Sequence, residues 1–306
     1  MKFQSLLLLV AACGLLAGCR GKEPGSTQLT KGALRVEADE AILPSIRGEG
    51  EEFQQQYPDS RIEIQPADAR AAISDFALDS IRVIVTGRAL NKEERDALTD
   101  AKIQFEEYRV ALSAVAVIAN REIPLSQLRV SQLDSILTGD VTQWPAKRGP
   151  IDLVIAGRNS SVNEVVRNTL MQGRDFTMAA TPIDSSLARI EYVRTHRGAI
   201  GLVGVNWLRG LNKDVTVMSL GTPGVRPDST EPPGQYYSPA QAYVYKGYYP
   251  ISTPVYIYSR EIDRNVALGF ISFVTSGPGQ KVFLNNGLVP VTMPVRLVQL
   301  TSQQVQ

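Results

Sequence analysis

The polar and apolar positions of this chain switch repeatedly between the twofold alternation of strands and the wider spacing of helices. Residues 34–37 predict a first strand, followed by a loop and a helix over 44–57. Pro44 suits the first helical turn, where its missing N–H costs nothing, and Tyr57-Pro58-Asp59 stops the helix. Residues 61–65 alternate as a strand, 69–78 read as helix, 83–86 as an apolar strand and 93–98 as helix. Residues 110–118 are almost continuously apolar, as expected of a strand buried on both faces. A helix over 130–138, a strand over 153–156, helices over 163–171 and 185–195 and a strand over 200–203 follow. Residues 221–235, rich in Pro, Gly and Ser, read as a loop. Beyond it, 240–245 and 255–259 are strand-like and 266–276 helical, and Gly277-Pro278-Gly279 interrupts that helix before 280–285 carries it to Gly287, a helix-stop residue. Strands separated by helical segments imply right-handed βαβ units and mostly parallel sheets, an α/β class.

The first residues follow another pattern. Lys2 gives a positive start, residues 6–16 form a short apolar run, and the run closes on Leu16-Ala17-Gly18-Cys19. A bilayer span takes about 20 apolar residues, so the run has the proportions of a secretory signal. Leucine, two small residues and cysteine directly after it look like a lipobox. Residues 1–18 are therefore expected to be removed as a lipoprotein signal peptide and Cys19 to carry the lipid. Residues 19–32 are too polar to bury a core and read as a flexible tether. The expected location is extracytoplasmic, on the periplasmic face or the cell surface, with the membrane reached through the lipid.

Of the two cysteines, Cys13 leaves with the signal and Cys19 is lipidated, so no thiol remains for a disulfide, a nucleophile or a metal. Without Lys2 the formal net charge falls from +1 to 0. A neutral protein has no general attraction for nucleic acid, so an anion must be held by a local arrangement. The one histidine, His196, sits at an expected helix end, where it reads as a solvated residue. Cys/His catalysis is excluded and a Ser/His triad disfavoured. Zinc spacing and both glycine-rich nucleotide loops are absent. The chain reads as a non-enzyme with no metal and no cofactor.

Positive signals sit where strands run into helices, the place where open α/β sheets bind ligands. The first junction is Glu37-Ala38-Asp39-Glu40-Ala41, the second Thr86-Gly87-Arg88, and the third Arg158-Asn159-Ser160-Ser161 before a helix. Serine is a preferred N-cap, and hydroxyls, free N–H groups and the positive helix end together form an anion cradle. Arg158 could close a bidentate pair on an oxyanion. The same residues also fit a plain helix cap beside a surface arginine.

Longer stretches carry a family resemblance. Residues 123–139 (IPLSQLRVSQLDSILTG) with Trp144, 198–204 (GAIGLVG), 249–251 (YPI) with 254–258 (PVYIY), 270–280 (FISFVTSGPGQ) and 287–290 (GLVP) resemble, in order, the phosphate ABC-transporter substrate-binding (PstS-type) proteins. The resemblance implies a two-lobed type II periplasmic-binding-protein fold, with the ligand cleft between lobes joined by two hinge strands. It assigns 33–112 and 240–306 to one lobe and 113–239 to the other, with the strand near 240–245 returning to the first. It further implies a monomer that captures phosphate and delivers it to ABC permease subunits, with Asp39, Glu40, Ala41, Thr86, Arg88, Arg158, Ser160 and Ser161 at the ligand.

This chain departs from the family pattern at those loops. Where the family has a Gly-Ser-x-Thr loop, Ala38-Asp39-Glu40-Ala41 replaces both hydroxyls and adds two carboxylates. The family's Ser-Arg-Pro-Leu becomes Thr86-Gly87-Arg88-Ala89-Leu90, shifted by a glycine, and Arg82 stands where an aspartate is usual. At the third loop Arg158 and the serines remain. A carboxylate repels a dianion unless it accepts the proton of monohydrogen phosphate, and Arg82, Arg88 and Arg158 could instead neutralise Asp39 and Glu40 as ion pairs. Another oxyanion, a carboxylated small molecule, or a sensor or scaffold role on the same fold stays open beside phosphate. A hydrolase is the remaining alternative.

Overall fold

The computed structural model describes residues 26–292 apart from 148, 212, 222–234, 262 and 264. The signal, Cys19 and most of the predicted 221–235 loop lie outside the described residues. Within the expected tether, Ser26–Leu29 forms a helical turn. It packs so closely on the Val266–Thr275 helix that a Cβ on Gly269 would overlap the Leu29 carbonyl.

The strands are β1 Gly32–Asp39, β2 Ser60–Ala67, β3 Val83–Thr86, β4 Glu106–Ala119, β5 Gln127–Arg129, β6 Asp152–Ile155 and β7 Thr181–Pro182. They continue with β8 Ala199–Gly204, β9 Thr216–Val217, β10 Ser219–Gly221, β11 Tyr236–Tyr237, β12 Ser252–Ser259 and β13 Val289–Pro290. The main sheet runs β2-β1-β3-β12-β4-β8-β6-β7, with β9 and β13 also paired to β4. A small sheet, β11-β10-β5, stands apart from it. The pairs β1–β2, β1–β3, β6–β8 and β6–β7 are parallel, while β12 and β8 run antiparallel to β4.

β4 organises the molecule. Its first half pairs with β12, the register running from Ser259↔Glu106 to Ser252↔Ala114. From the next residue it pairs with β8 instead, Val115↔Gly204 to Ala119↔Ile200. One strand therefore belongs to two lobes. Its near-continuous apolar run is explained by burial in both, since Val110, Ala111 and residues 114–119 are buried. The passage is fixed locally: the Val115 amide donates to Ile251 O (2.9 Å) and its carbonyl accepts from Tyr249 Oη (2.8 Å). Separate apolar cores flank it, one around Phe53, Phe270 and Phe283, another around Trp144, Leu133 and Met171.

Two sequence expectations are corrected. Residues 240–245 do not form a strand: Gln241–Tyr245 is a helical turn, with Tyr243 N and Val244 N both bonded to Ala240 O. The segment is too short for apolar spacing to separate the two periods, and only Val244 in it is buried. The strand that returns to the first lobe is β12. The sheet is also more mixed than expected, because β12 and β4 enter antiparallel between the parallel sets. Among the described residues no helix is long and apolar enough to cross a membrane.

Candidate functional site

Three of the predicted junctions meet where β4 changes partners. β1 ends at Asp39, and Glu40–Ile42 forms a 3-10 turn that Asp39 caps. One Asp39 carboxylate oxygen accepts the Ala41 N–H at 3.1 Å. The other accepts the Gly87 N–H at 2.9 Å, from the loop after β3. The Ser161 hydroxyl donates to the same carboxylate. Donors from three separate segments thus converge on one side chain that is only 1% exposed. Burial pushes the Asp39 carboxyl above its ordinary range, and the three bonds oppose that rise.

Ser161 is delivered by its helix. Ser160 is the N-cap of Ser161–Thr169, its Oγ accepting the Val162 N–H at 3.2 Å. Asn163 ties that helix to the end of β6, donating to Ala156 O (2.7 Å) and Gly157 O (3.1 Å). The helix begins two residues before the sequence expectation, so Ser160 caps and Ser161 faces the junction.

Glu40 turns the other way, onto the Ser186–Thr195 helix of the second lobe. Its oxygens accept the Ser186 N–H (2.7 Å) and the Ser186 Oγ–H (2.8 Å) at that helix start, where the helix end favours negative charge. Arg189 lies beneath, fully buried, with Nη2 3.4 Å from the same carboxylate. Its other N–H groups donate to Leu202 O (3.1 Å), Asp184 O (2.8 Å), Ile183 O and Ser186 Oγ (2.6 Å). The Trp207 indole N–H adds a bond to the Glu40 carbonyl at 2.8 Å.

Arg88 does not neutralise these acids. It forms a bidentate pair with Glu94 (2.6 and 2.8 Å), and its Nε lies 3.0 Å from Glu164 on the Ser161–Thr169 helix. Arg82 pairs with Asp79 (3.0 Å) and Glu261 (2.8 Å) on the surface. Arg158 is exposed, and among the described residues it has no hydrogen-bond or ion-pair partner. The alternative in which Arg82, Arg88 and Arg158 neutralise Asp39 and Glu40 is therefore not what the fold adopts for the first two, which pair with nearer acids. Thr86 spends its hydroxyl on Arg88 O at 2.7 Å.

Sequence reasoning places Gly87 in its junction without a role and does not assign Ser186, Arg189 or Trp207 to the site. Ser185-Ser186 repeats the Ser-Ser helix start already noticed at 160–161, and that signal was legible. Gly87 leaves the site room: a Cβ there would lie 3.0 Å from Asp39 Oδ2 and 3.3 Å from Ser161 Oγ, tight contacts that those side chains would have to yield to. A Cβ on Gly204 would overlap the Ala41 carbonyl, so β8 also meets the turn through a glycine. A cavity of about 10 Å³ remains between Ala41, Gly87, Ser113, Ser161, Gly204 and Thr253, room for about one water molecule. Among the described residues no cluster of three or more His, Cys, Asp or Glu could hold a metal.

Comparison with known proteins gives a consistent picture. The PBP superfamily domain matches residues 23–278. The phosphate-binding protein PstS of Staphylococcus epidermidis is 25% identical over 285 residues, covering 89% of this chain and 84% of the relative. PstS of Staphylococcus aureus (strain USA300) is 26% identical over 278 residues, 87% of this chain and 81% of that one. A Clostridium perfringens protein solved with bound phosphate superposes with a TM-score of 0.72 at 20% identity, over 85% of this chain and all of the other. An ABC-type phosphate transport receptor from Vibrio cholerae gives 0.63 at 19%, with the same coverage of this chain and 100% of its own. At those identities the two structures show the fold.

Proposed function

This chain belongs to the PBP superfamily, and from that premise we propose that it captures inorganic phosphate between its two lobes and passes it to an ABC permease. The observation that carries the reading is the convergence of the Ala41 N–H, the Gly87 N–H and the Ser161 hydroxyl on one anionic group between the lobes. Uncharged donors held by three segments are the equipment of an oxyanion site. The PstS names of the curated relatives support phosphate as that oxyanion. Asp39, Glu40, Ala41, Thr86, Arg88, Arg158, Ser160 and Ser161 remain the residues assigned to the site, with Arg158 free to swing in from the surface. No step of this function requires catalysis. Calorimetric titration of protein first stripped of bound anions is expected to give saturable heat with phosphate and little with sulfate. No heat and no thermal shift with phosphate would sink the reading.

The lipobox ending at Cys19 supports anchoring at the outer face of a membrane, where such a receptor meets its permease. The full chain produced in a bacterium is expected in the membrane fraction with a diacylglycerol mass on Cys19, and Cys19→Ala is expected to release it. Unmodified, soluble wild-type chain would refute the anchor.

A further inference from the structure

We propose that Asp39 is a built-in surrogate anion, its carboxylate filling the oxyanion position between the lobes, so that an external oxyanion binds only by displacing it. The proposal rests on the reading of the junction as a phosphate site and sharpens it.

Three observations carry it. The first is the donor set. The Ala41 N–H at 3.1 Å, the Gly87 N–H at 2.9 Å and the Ser161 hydroxyl are occupied together by one carboxylate. A plain cap of the 3-10 turn would need only the Ala41 bond. The bonds to Gly87 and Ser161 join the end of β1 to the β3 loop and to a helix of the other lobe, which is what a captured anion does.

The second is space. The cavity at the junction, lined by Gly87 and Ser161 but not by Asp39, measures only about 10 Å³, enough for a water and not for a four-oxygen anion as well. Carboxylate and ligand therefore exclude each other on volume before charge is considered. Gly87 eases the arrangement, since a Cβ there would press on Asp39 Oδ2 at 3.0 Å. The glycine that shifts the second loop and the aspartate that enters the first are thus a matched pair.

The third is the remainder of the lobe junction. Glu40 bridges to Ser186 and Arg189 of the second lobe. Glu164 of the second lobe reaches back to Arg88 (3.0 Å) and Arg70 (3.4 Å) of the first. The charges that span the junction are therefore supplied by the chain itself, and the lobes hold together on their own acids.

The test compares the full chain in detergent with its Asp39→Ala and Asp39→Asn variants. Phosphate affinity is measured by calorimetry, and hydrogen exchange is followed at the amides around Ala41 and Gly87. In the wild type those amides are expected to be protected in phosphate-free buffer and to change little on adding phosphate. Asp39→Ala frees the three donors. It is expected to exchange at least tenfold faster there without phosphate, to regain protection with it, and to bind phosphate at least tenfold more tightly than the wild type. Asp39→Asn, which keeps the shape and loses the charge, is expected to lie between and guards against misfolding of the alanine variant. Equal or weaker phosphate binding by both variants, with wild-type binding intact, overturns the surrogate and leaves the capture reading standing. If no form binds phosphate, the capture reading fails. The surrogate, which rests on that reading, fails with it, whatever the exchange shows.

Discussion

Arg189→Met is expected to destabilise the protein by about 3–5 kcal/mol, the cost of breaking a buried ion pair from one side. The guanidinium is fully buried and serves five acceptors: Leu202 O, Ile183 O, Asp184 O, Ser186 Oγ and the Glu40 carboxylate. Methionine fills similar volume but donates nothing, so buried carbonyls lose their partners as well as the carboxylate. Burial already pulls the Arg189 guanidinium below its ordinary range, with Glu40 opposing that pull. The charge is therefore tolerated only because its partners are in place. Arg189→Lys keeps the charge and loses the fork of donors, and is expected to recover only a minor part of the loss. Urea unfolding measures both variants. Adding Glu40→Gln to Arg189→Met should recover only part of the loss, because it removes the acid's uncompensated charge but not the orphaned carbonyls, and the two changes should be non-additive by at least about 0.5 kcal/mol. A loss below about 1 kcal/mol for Arg189→Met would mean that the cluster is not what fixes the Ser186–Thr195 helix under the lobe junction.

How much of this was legible in the sequence depends on the range of each interaction. The strand at 110–118 was readable because burial on both faces leaves an unbroken apolar run, and the structure extends it to Glu106–Ala119. The helix over 44–57 was readable from Pro44, which the structure finds in the first turn of Leu43–Gln56. Ser160 was readable as a cap because capping is local. The partners of Asp39 and Glu40 were not, since Gly87 is 48 residues away and Ser186 is 146. Charge matching alone pointed to the arginines of the neighbouring junctions. Those arginines had closer acids: Asp79 is three residues from Arg82, and Glu94 six from Arg88. Acids in a bare list of site loops thus carried no information about which cation, or which helix end, would take them. Only the fold does, by bringing the start of the Ser186–Thr195 helix under the turn at Glu40.

Glu49 provides the second large effect. It lies on the Leu43–Gln56 helix that follows the Asp39–Glu40 turn, fully buried, and among the described residues neither its carboxylate oxygens nor the Ser45 hydroxyl one turn earlier has a hydrogen-bond partner. Burial, with a smaller contribution from Glu52, pushes its carboxyl up from 4.5 to about 10. The native state therefore keeps a proton that the unfolded chain releases above pH 4.5. Stability from this group is fully present below that pH and falls as pH rises toward 10, at about 1.4 kcal/mol per unit. Between pH 5 and 8 this amounts to about 4 kcal/mol, an upper figure because water can reach the acid once it ionises. Asp39, Glu37 and Asp68 are also raised by burial and tilt the wild-type curve the same way, so the diagnostic quantity is the difference between wild type and Glu49→Gln. The glutamine keeps the shape and cannot titrate. It is expected to match the wild type near pH 5 and to exceed it by several kcal/mol at pH 8 in urea unfolding. A difference that stays flat from pH 5 to 8 would show that Glu49 ionises in the native protein. Because this helix starts at the turn that carries both site acids, the wild type should also lose protection at the Ala41 amide as pH rises, and Glu49→Gln should keep it.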